Sequence, residues 1–199
     1  HDVDCIWNLA CPAAPGHYRY EPVKTLQTSV DGVLNALSLA KRTGARILHA
    51  STSEVYGKGV RVPMREDDDV VYGATSYSRW CYACSKAIDE YLALAYHREQ
   101  GLPAVIVRFF NTVGPRQIGD YGMVLPRFVT AALAGEPLEI HGNGRQVRCF
   151  CDVRDVAAAL PRLLGDAACY GRVFNVGGDR PVTIEDLAGA VLRVTGSRS

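Results

Sequence analysis

The sequence has no large excess of charge of either sign, since 22 lysines and arginines face 21 aspartates and glutamates, for a formal net charge of +1. This balance does not indicate a surface for nucleic acid. No apolar run approaches the roughly 20 residues that a bilayer-spanning helix needs, and no secretory signal is visible. We therefore expect neither a nucleic-acid partner nor a membrane contact.

Disulfide bonds and metal sites are not indicated either. The seven cysteines are odd in number and irregularly spaced, which does not suit a disulfide framework. Cys81 and Cys84 have the spacing of half a zinc site or of a redox pair, but the second Cys or His pair of a structural zinc site is missing. We expect reduced thiols, no metal and a cytoplasmic location, with a zinc or redox protein as the alternative.

What the chain does contain is an alternation of short apolar runs and helical patterns. Apolar runs at about 3–9, 46–50 and 104–109 predict strands, and the patterns at 22–43 and up to about Gln100 predict helices. A loop rich in Gly, Pro and Asp covers about 57–76. Alternating strands and helices are typical of βαβ units, so we predict an α/β fold with a parallel sheet.

The elements after Pro115 are shorter. We predict helices at about 124–134 and 153–164 and a last helix that begins at Thr183, together with strands at 138–140, near 147–150 and at 173–176. Pro161 is expected to kink or shorten its helix. This change divides the chain into a first domain at 1–115 and a smaller lobe at 116–199, with segments of the lobe interleaved back into the first domain.

Tyr82 and Lys86 stand four residues apart in a helical pattern and therefore share one helix face. A positive charge beside the phenol is expected to lower the pKa of Tyr82 and make it a usable general base. Thr52 follows a predicted strand, at the edge where open α/β sheets form their sites. The Tyr-x-x-x-Lys pattern is weak when it is isolated, because many solvated helix faces carry it.

The order of motifs resembles the extended short-chain dehydrogenase/reductase family, the NAD-dependent nucleotide-sugar epimerases, dehydratases and decarboxylases. The likeness covers nearly the whole chain. Its matching segments begin at Asn8, Ser51, Tyr82, Arg108, Gly122, Gly142 and Asp152.

The resemblance implies a Rossmann-like doubly wound parallel sheet with a smaller mixed substrate-binding lobe. It also implies that NAD oxidises a nucleotide sugar, most often a UDP-sugar, at C4, with Tyr82 as the base and Thr52 and Lys86 in support. The same likeness places Ala10, Cys11 and Phe109, together with Thr52, Tyr82 and Lys86, at the cofactor. It assigns to the substrate Ser53, Asn111, Arg127, His141 and Arg148. A homodimer paired through the helix of Tyr82 and Lys86 is the expected assembly.

The sequence departs from the family pattern in several places. The glycine-rich phosphate loop, which relatives carry before the strand that opens this chain, does not occur in it. Because the chain starts at His1 and the substrate lobe stops at about 196, we expect a fragment of a longer protein. His141 stands where many relatives have a Tyr near the base, and Ser29 stands where relatives often have an Asn near the cofactor.

The residues after Thr52 bear on the reaction. Sugar 4,6-dehydratases have an Asp at the position of Ser53, whereas Ser53 and Glu54 resemble UDP-glucuronate decarboxylases, in which the Glu and the Arg matching Arg148 assist the loss of CO2. The segment between Tyr82 and Lys86 looks closer to that of epimerases and dehydratases. The resemblance therefore favours a decarboxylase, then a 4-epimerase, then a dehydratase. A non-catalytic NAD-binding scaffold is the alternative from another class, and the intact Thr52, Tyr82 and Lys86 speak against it.

Overall fold

A computed structural model describes residues 2–59, 61–119 and 123–199 and divides the chain into two compact units. The first unit takes in the described residues up to Phe109 together with Ala157–Val176. The second unit takes in those of Phe110–Val156 and Gly177–Ser199. The division thus lies after Phe109 rather than after residue 115, and one late segment returns to the first unit. The assignment of these parts to cofactor and substrate stays a prediction.

The helices and strands of the two units follow one another in an alternating order. The strands are β1 (Cys5–Asn8), β2 (Arg46–Thr52), β3 (Ala104–Phe109), β4 (Asn111–Val113), β5 (Val147–Asp152), β6 (Arg172–Val176) and β7 (Pro181–Thr183). The α-helices are α1 (Pro15–Tyr20), α2 (Pro22–Thr43), α3 (Trp80–Gln100), α4 (Val124–Ala134), α5 (Val153–Gly165) and α6 (Ile184–Thr195).

The first unit is built on a parallel sheet in the strand order β1-β2-β3-β6. Its central strands carry apolar residues on both faces, and Ile47, Leu48, Val105, Ile106 and Val107 are all fully buried. Near-continuous burial is what a parallel sheet requires, because both of its faces are covered. The predicted Rossmann-like α/β class is confirmed, and so are the predicted helix at 22–43 and strand at 104–109.

Helices α2 and α3 pack side by side on one face of this sheet. Val33, Leu37 and Ala40 follow one another at helical spacing on α2 and meet Ile47 and Ile106 of the strands in one apolar cluster. Both helices end at a glycine with positive φ, Gly44 and Gly101, which is the usual residue for this conformation. Because each helix connects two parallel strands, it runs from the carboxyl edge of the sheet back toward the amino edge.

The second unit contains a small mixed sheet, in which β4 is parallel to β5 and β7 is antiparallel to it. Helices α4 and α6 pack together through Phe128, Ala132, Leu187 and Val191. The Thr183 hydroxyl accepts a hydrogen bond of 3.0 Å from the backbone N–H of Asp186, so the predicted capped start of α6 is confirmed.

One local prediction was wrong. Residues 138–140 form no strand; Leu138 and Ile140 pack into the α4–α6 cluster, so their alternation reflects burial rather than strand pairing. Of the two expected effects of Pro161, the shortening does not occur, because α5 continues to Gly165 with Leu160 and Leu164 buried, and the kink stays a prediction. The pattern also missed the short elements α1, β4 and β7.

All seven cysteines are free thiols. Within residues 2–59, 61–119 and 123–199, no group of three or more His, Cys, Asp or Glu side chains is placed to hold a metal ion. In the same ranges, no helix combines the length and the hydropathy that crossing a bilayer requires.

The core of the first unit predicts a large effect of one truncation. Leu37→Ala removes a fully buried side chain between α2 and the sheet, and we expect a loss of about 2–5 kcal/mol in the free energy of unfolding. Val23→Ala, on the same helix but 67% exposed, is the matched control and should change stability by less than about 0.5 kcal/mol. Urea unfolding followed by circular dichroism measures both, and equal losses would contradict the proposed core.

Candidate active site

The carboxyl edge of the parallel sheet brings together residues from three neighbouring strands. Thr52 at the end of β2 lies in register with Phe109 at the end of β3, and Asn8 at the end of β1 lies in register with His49. Ala10 and Cys11 come shortly after β1. Since the carboxyl edge of an open α/β sheet is where ligands bind, the predicted cofactor residues of these strands occupy a suitable place.

Tyr82 lies in the first turns of α3 and is only 6% exposed. Its ring stacks on that of Tyr18 from α1, with 5.3 Å between the ring centroids and 4° between the planes. Burial is the main reason that the pKa of Tyr82 is raised above its usual range, and the negative charge of Glu54 adds to this, against a hydrogen bond with Thr52. Tyr82, Thr52 and Glu54 are therefore close neighbours, as the sequence predicted for Tyr82 and Thr52.

Lys86 occupies the next turn of α3, but its ammonium is held by other groups. Its Nζ donates to Oδ2 of Asp89 at 3.1 Å and lies 3.2 Å from Nε2 of His49. The expectation that Lys86 lowers the pKa of Tyr82 is wrong in this structure, because burial dominates at Tyr82 and its pKa is raised. Helical spacing placed the two residues on one face but did not reveal the carboxylate three residues further on.

His49, Lys86, Asp89 and Ser29 form one buried group, which we call the Asp89 cluster. Ser29 donates to Oδ2 of Asp89 at 2.7 Å. The side-chain amide of Asn8 lies 3.1 Å from Nδ1 of His49. Nε2 of His49 lies 3.4 Å from the same Oδ2 of Asp89. Two hydrogen-bond donors, Ser29 and Lys86, and the His49 imidazole thus converge on one carboxylate oxygen.

The electrostatics of this cluster follow from burial and pairing. Burial lowers the pKa of His49, and the nearby Lys86 charge lowers it further, so the imidazole is neutral near pH 7. Burial alone would raise the pKa of Asp89, but the contact with His49, the Lys86 charge and the Ser29 hydroxyl together lower it. Burial also raises the pKa of the Cys11 thiol, against the effects of Lys86 and Ser29.

Glu54 lies in a 3-10 turn, Ser53–Tyr56, directly after β2. Its backbone N–H donates to the Thr52 hydroxyl at 3.2 Å, which fixes the start of the turn. Burial raises the pKa of the half-buried Glu54, against the positive charges of Arg79 and Arg19. Ser53 is also half-buried in this turn. The turn therefore supplies an acid that holds its proton more tightly than a solvated glutamate, next to Tyr82.

A second buried charged network lies beside the Asp89 cluster. The Arg108 guanidinium of β3 donates to both carboxylate oxygens of Glu90, at 3.0 and 2.7 Å, and stacks 4.7 Å above the Tyr56 ring. Its Nη1 donates to the backbone carbonyl of Glu66 at 3.1 Å, and the Ser51 hydroxyl donates to Glu90. This network ties α3 to β2, to β3 and to the loop that follows the 3-10 turn.

The second unit contains Asn111, Arg127, His141 and Arg148. Nη1 of Arg127 lies 2.9 Å from Nε2 of His141, so these two residues are in direct contact. Nη2 of Arg127 forms an ion pair of 3.0 Å with Glu139. Asn111 of β4 donates to the Cys149 carbonyl at 2.9 Å. It pairs in register with Phe150, two residues from the exposed Arg148, so Asn111 and Arg148 lie on neighbouring strands.

Sequence reasoning missed His49, Asp89, Glu90 and Arg108 as members of the site. A signal was present in the strands, where His49 and Arg108 interrupt otherwise apolar runs on the face that Ile47 and Ile106 also use. The helix offered no comparable signal, because an Asp-Glu pair is common on a solvated helix face. Their burial depends on the strands that they meet.

The comparisons with known proteins agree with this architecture. The model of the NAD dependent epimerase/dehydratase family matches residues 1–177. The UDP-N-acetyl-alpha-D-glucosaminuronate decarboxylase of Bacillus cytotoxicus is 40% identical over 200 residues, which are 100% of this chain and 61% of that protein. UDP-glucuronic acid decarboxylase 6 of Arabidopsis thaliana is 45% identical over 193 residues, which are 96% of this chain and 54% of that protein.

A solved structure is also similar. The UDP-N-acetylglucosamine 4-epimerase of Methanobrevibacter ruminantium M1, in complex with UDP-N-acetylmuramic acid, superimposes with a TM-score of 0.88 and 31% identity, over 98% of this chain and 61% of that one. The chain spans about half the length of the curated relatives that it matches, between 42% and 61%.

Buried neutral His49 predicts a pH dependence of stability. Its pKa is lowered in the folded protein, so the unfolded chain binds the proton more readily, and stability should fall as pH drops below about 6.5, the usual histidine pKa. His49→Gln should reduce the loss of stability between pH 7 and pH 5, whereas His141→Gln, with an exposed side chain, should not. Urea unfolding across this pH range measures the difference, and parallel curves for wild type and His49→Gln would refute it.

Proposed function

The chain belongs to the NAD-dependent epimerase/dehydratase family, and on this premise we propose that the whole protein is a UDP-glucuronate decarboxylase that works through transient C4 oxidation. The observation that carries this proposal is the half-buried Glu54, whose pKa is raised by burial. It lies in the turn after Thr52, close enough to the Tyr82 phenol for its charge to contribute to the raised pKa of Tyr82. An acid at this position suits proton return after CO2 leaves. The decarboxylase names of the curated relatives point the same way.

The residues at the carboxyl edge fit the nicotinamide end of NAD. A hydroxyl, a phenol and an ammonium, from Thr52, Tyr82 and Lys86, offer donors for ribose oxygens, and Ala10, Cys11 and Phe109 end or follow strands at the same edge. NAD, when bound there, supplies the acceptor for the hydride of C4. We therefore assign to the first unit the cofactor and to the second unit, with its exposed arginines, the nucleotide sugar.

Tyr82 and Thr52 handle the C4 hydroxyl in this proposal. Tyr82, as a phenolate, takes the hydroxyl proton as C4 becomes a ketone, and Thr52, whose hydroxyl lies near the phenol, holds the same oxygen. The raised pKa of Tyr82 means that the phenol is protonated near pH 7, so Tyr82 acts as a base only after it has lost this proton. The proton that the phenolate then takes from the C4 hydroxyl is the one that it returns when C4 is reduced again.

Decarboxylation follows from the ketone. The bond between C5 and the carboxylate breaks, CO2 leaves, and the electron pair is delocalised toward the C4 oxygen. Glu54 then delivers the proton to C5, a task that a carboxyl group with a raised pKa suits. Arg148, with an exposed guanidinium, is our candidate for the sugar carboxylate; Ser53, Asn111, Arg127 and His141 are candidates for the sugar and the diphosphate.

A 4-epimerase is the second candidate, because the similar solved structure is an epimerase by name. The same Tyr82 and Thr52 would then serve C4, without a need for Glu54. We further propose a cytoplasmic homodimer. Ile88 and Tyr91, 40% and 68% exposed on α3, are the apolar side chains that such a pairing would cover.

Product analysis of the full-length protein separates these reactions. Incubation with NAD and UDP-glucuronate, UDP-glucose or dTDP-glucose, followed by NMR, should give CO2 and a pentose product from UDP-glucuronate alone. Inversion at C4 without CO2 would establish the epimerase instead. Tight NAD binding without turnover of any nucleotide sugar would favour a scaffold.

The assignment of Tyr82 as the base has a direct test. Tyr82→Phe in the full-length protein removes only the phenol oxygen, and we expect kcat to fall by about 10²–10⁴-fold while NAD still binds. Tyr20→Phe, at a side chain that is 87% exposed, is the control and should leave kcat unchanged. Turnover by Tyr82→Phe at the wild-type rate would remove Tyr82 from this role.

Glu54 should act after the oxidation. Glu54→Gln is expected to lower CO2 release by about 10²-fold or more, while a change of nicotinamide absorbance still reports C4 oxidation. Glu99→Gln, at an exposed position of α3, is the matched control. A normal CO2 yield from Glu54→Gln would rule out the proposed proton donor.

A further inference from the structure

Asp89 is a buried acid of the first unit that the proposed reaction does not use. Its side chain is fully buried, and Oδ2 meets groups from three different elements. Ser29 of α2 donates to it at 2.7 Å, Lys86 of α3 donates at 3.1 Å, and Nε2 of His49 of β2 lies 3.4 Å away. Lys86 is itself buried, with a side chain that is 4% exposed. The carboxylate thus holds the ammonium at a fixed point beside the carboxyl edge of the sheet.

We propose that Asp89 is a positioning residue, which with His49 and Ser29 fixes the direction of the Lys86 ammonium so that its remaining N–H group is presented to the ribose of the bound dinucleotide. This inference rests on the proposed function, because it presumes that NAD binds at this edge. An ammonium has three N–H donors, and Asp89 takes one of them. A second is directed at Nε2 of His49, 3.2 Å from Nζ, so that one N–H remains for the ligand.

The geometry of Asp89 does not suit a purely stabilising ion pair. Ser29 and Lys86 both donate to Oδ2, whereas Oδ1 is buried and has no hydrogen-bond partner within the described residues. An unpaired buried carboxylate oxygen costs free energy, which a residue selected for stability alone would avoid. Placing all donors on one oxygen instead defines a single position for Nζ. The neighbouring acid Glu90 shows the contrast, because both of its oxygens are paired with Arg108.

The ion pair between Lys86 and Asp89 also limits the effect of the Lys86 charge on other groups. Asp89 balances that charge within the cluster, and the pKa of Tyr82 is raised by burial and by the acidic groups around it. Lys86 is therefore held as a hydrogen-bond donor to the ligand rather than as the charge that makes Tyr82 acidic. Asp89 reaches the chemistry only through Lys86, which makes the two residues a testable pair.

The test is a double-mutant cycle on NAD affinity in the full-length protein. Asp89→Asn keeps the shape and an acceptor but removes the charge, and we expect NAD to bind roughly tenfold more weakly, the scale of coupling between contacting groups. Lys86→Met should weaken binding as well. In the Lys86→Met background, adding Asp89→Asn should change the NAD dissociation constant less than about twofold, because the residue it positions is gone. Isothermal titration calorimetry gives all four constants.

Stability provides the second readout and needs no cofactor. Either single change leaves a buried charge unpaired, so each should lower the urea midpoint, and the double variant should recover part of that loss. Glu90→Gln is the matched control, because this buried acid pairs with Arg108; its effect on the urea midpoint should be the same in the wild-type and Lys86→Met backgrounds.

The outcomes separate the two proposals. A wild-type protein that binds no NAD sinks the proposed function. Wild-type NAD binding that Asp89→Asn leaves within twofold, in a variant that remains folded, sinks the positioning role alone. An equal loss of affinity on adding Asp89→Asn to the wild type and to Lys86→Met also overturns it, because Asp89 would then act independently of Lys86.

Discussion

Charged side chains of α3 are buried against the parallel sheet, and a charge removed from water must find a partner close by. Lys86 meets Asp89, and Glu90 meets Arg108 across the gap to β3. The orientation of the helix that makes both pairs also places Ala93 in the apolar cluster with Leu37. In the same orientation, Tyr82 lies near Thr52. Electrostatic pairing and apolar packing therefore both hold the reactive phenol in its orientation.

The face of the sheet beneath α2 and α3 changes character along the strands. Near the amino edge, β2 and β3 present Ile47 and Ala104, and toward the carboxyl edge they present His49 and Arg108. Apolar burial anchors one end of the layer, and paired polar groups organise the other. The apolar packing near the amino edge supports the strands, and the site residues lie at the ends of these supported strands.

Burial shifts the pKa values of the ionisable groups at the carboxyl edge of the sheet in different directions. It raises the pKa of both Tyr82 and Glu54, so each group holds its proton more tightly, and it lowers the pKa of His49, which is neutral near pH 7. At Asp89, hydrogen bonding and the Lys86 charge outweigh burial, so the pKa is lowered and the carboxylate stays charged. This edge of the sheet thus contains a phenol and a carboxyl group with raised pKa values beside a fixed anion.

The sequence alone determined the order of the longer elements, the parallel α/β class and the positions of Thr52, Tyr82 and Lys86 on them, because apolar periodicity and strand ends are local properties of the chain. It misassigned residues 138–140, where burial without strand pairing gives the same alternation. It also did not reveal the partner of Lys86. Ser29 meets Asp89 across 60 positions of sequence, and His49 meets Lys86 across 37. Only the tertiary structure decided these contacts and the pKa directions that follow, because desolvation and charge pairing depend on which distant segments pack together.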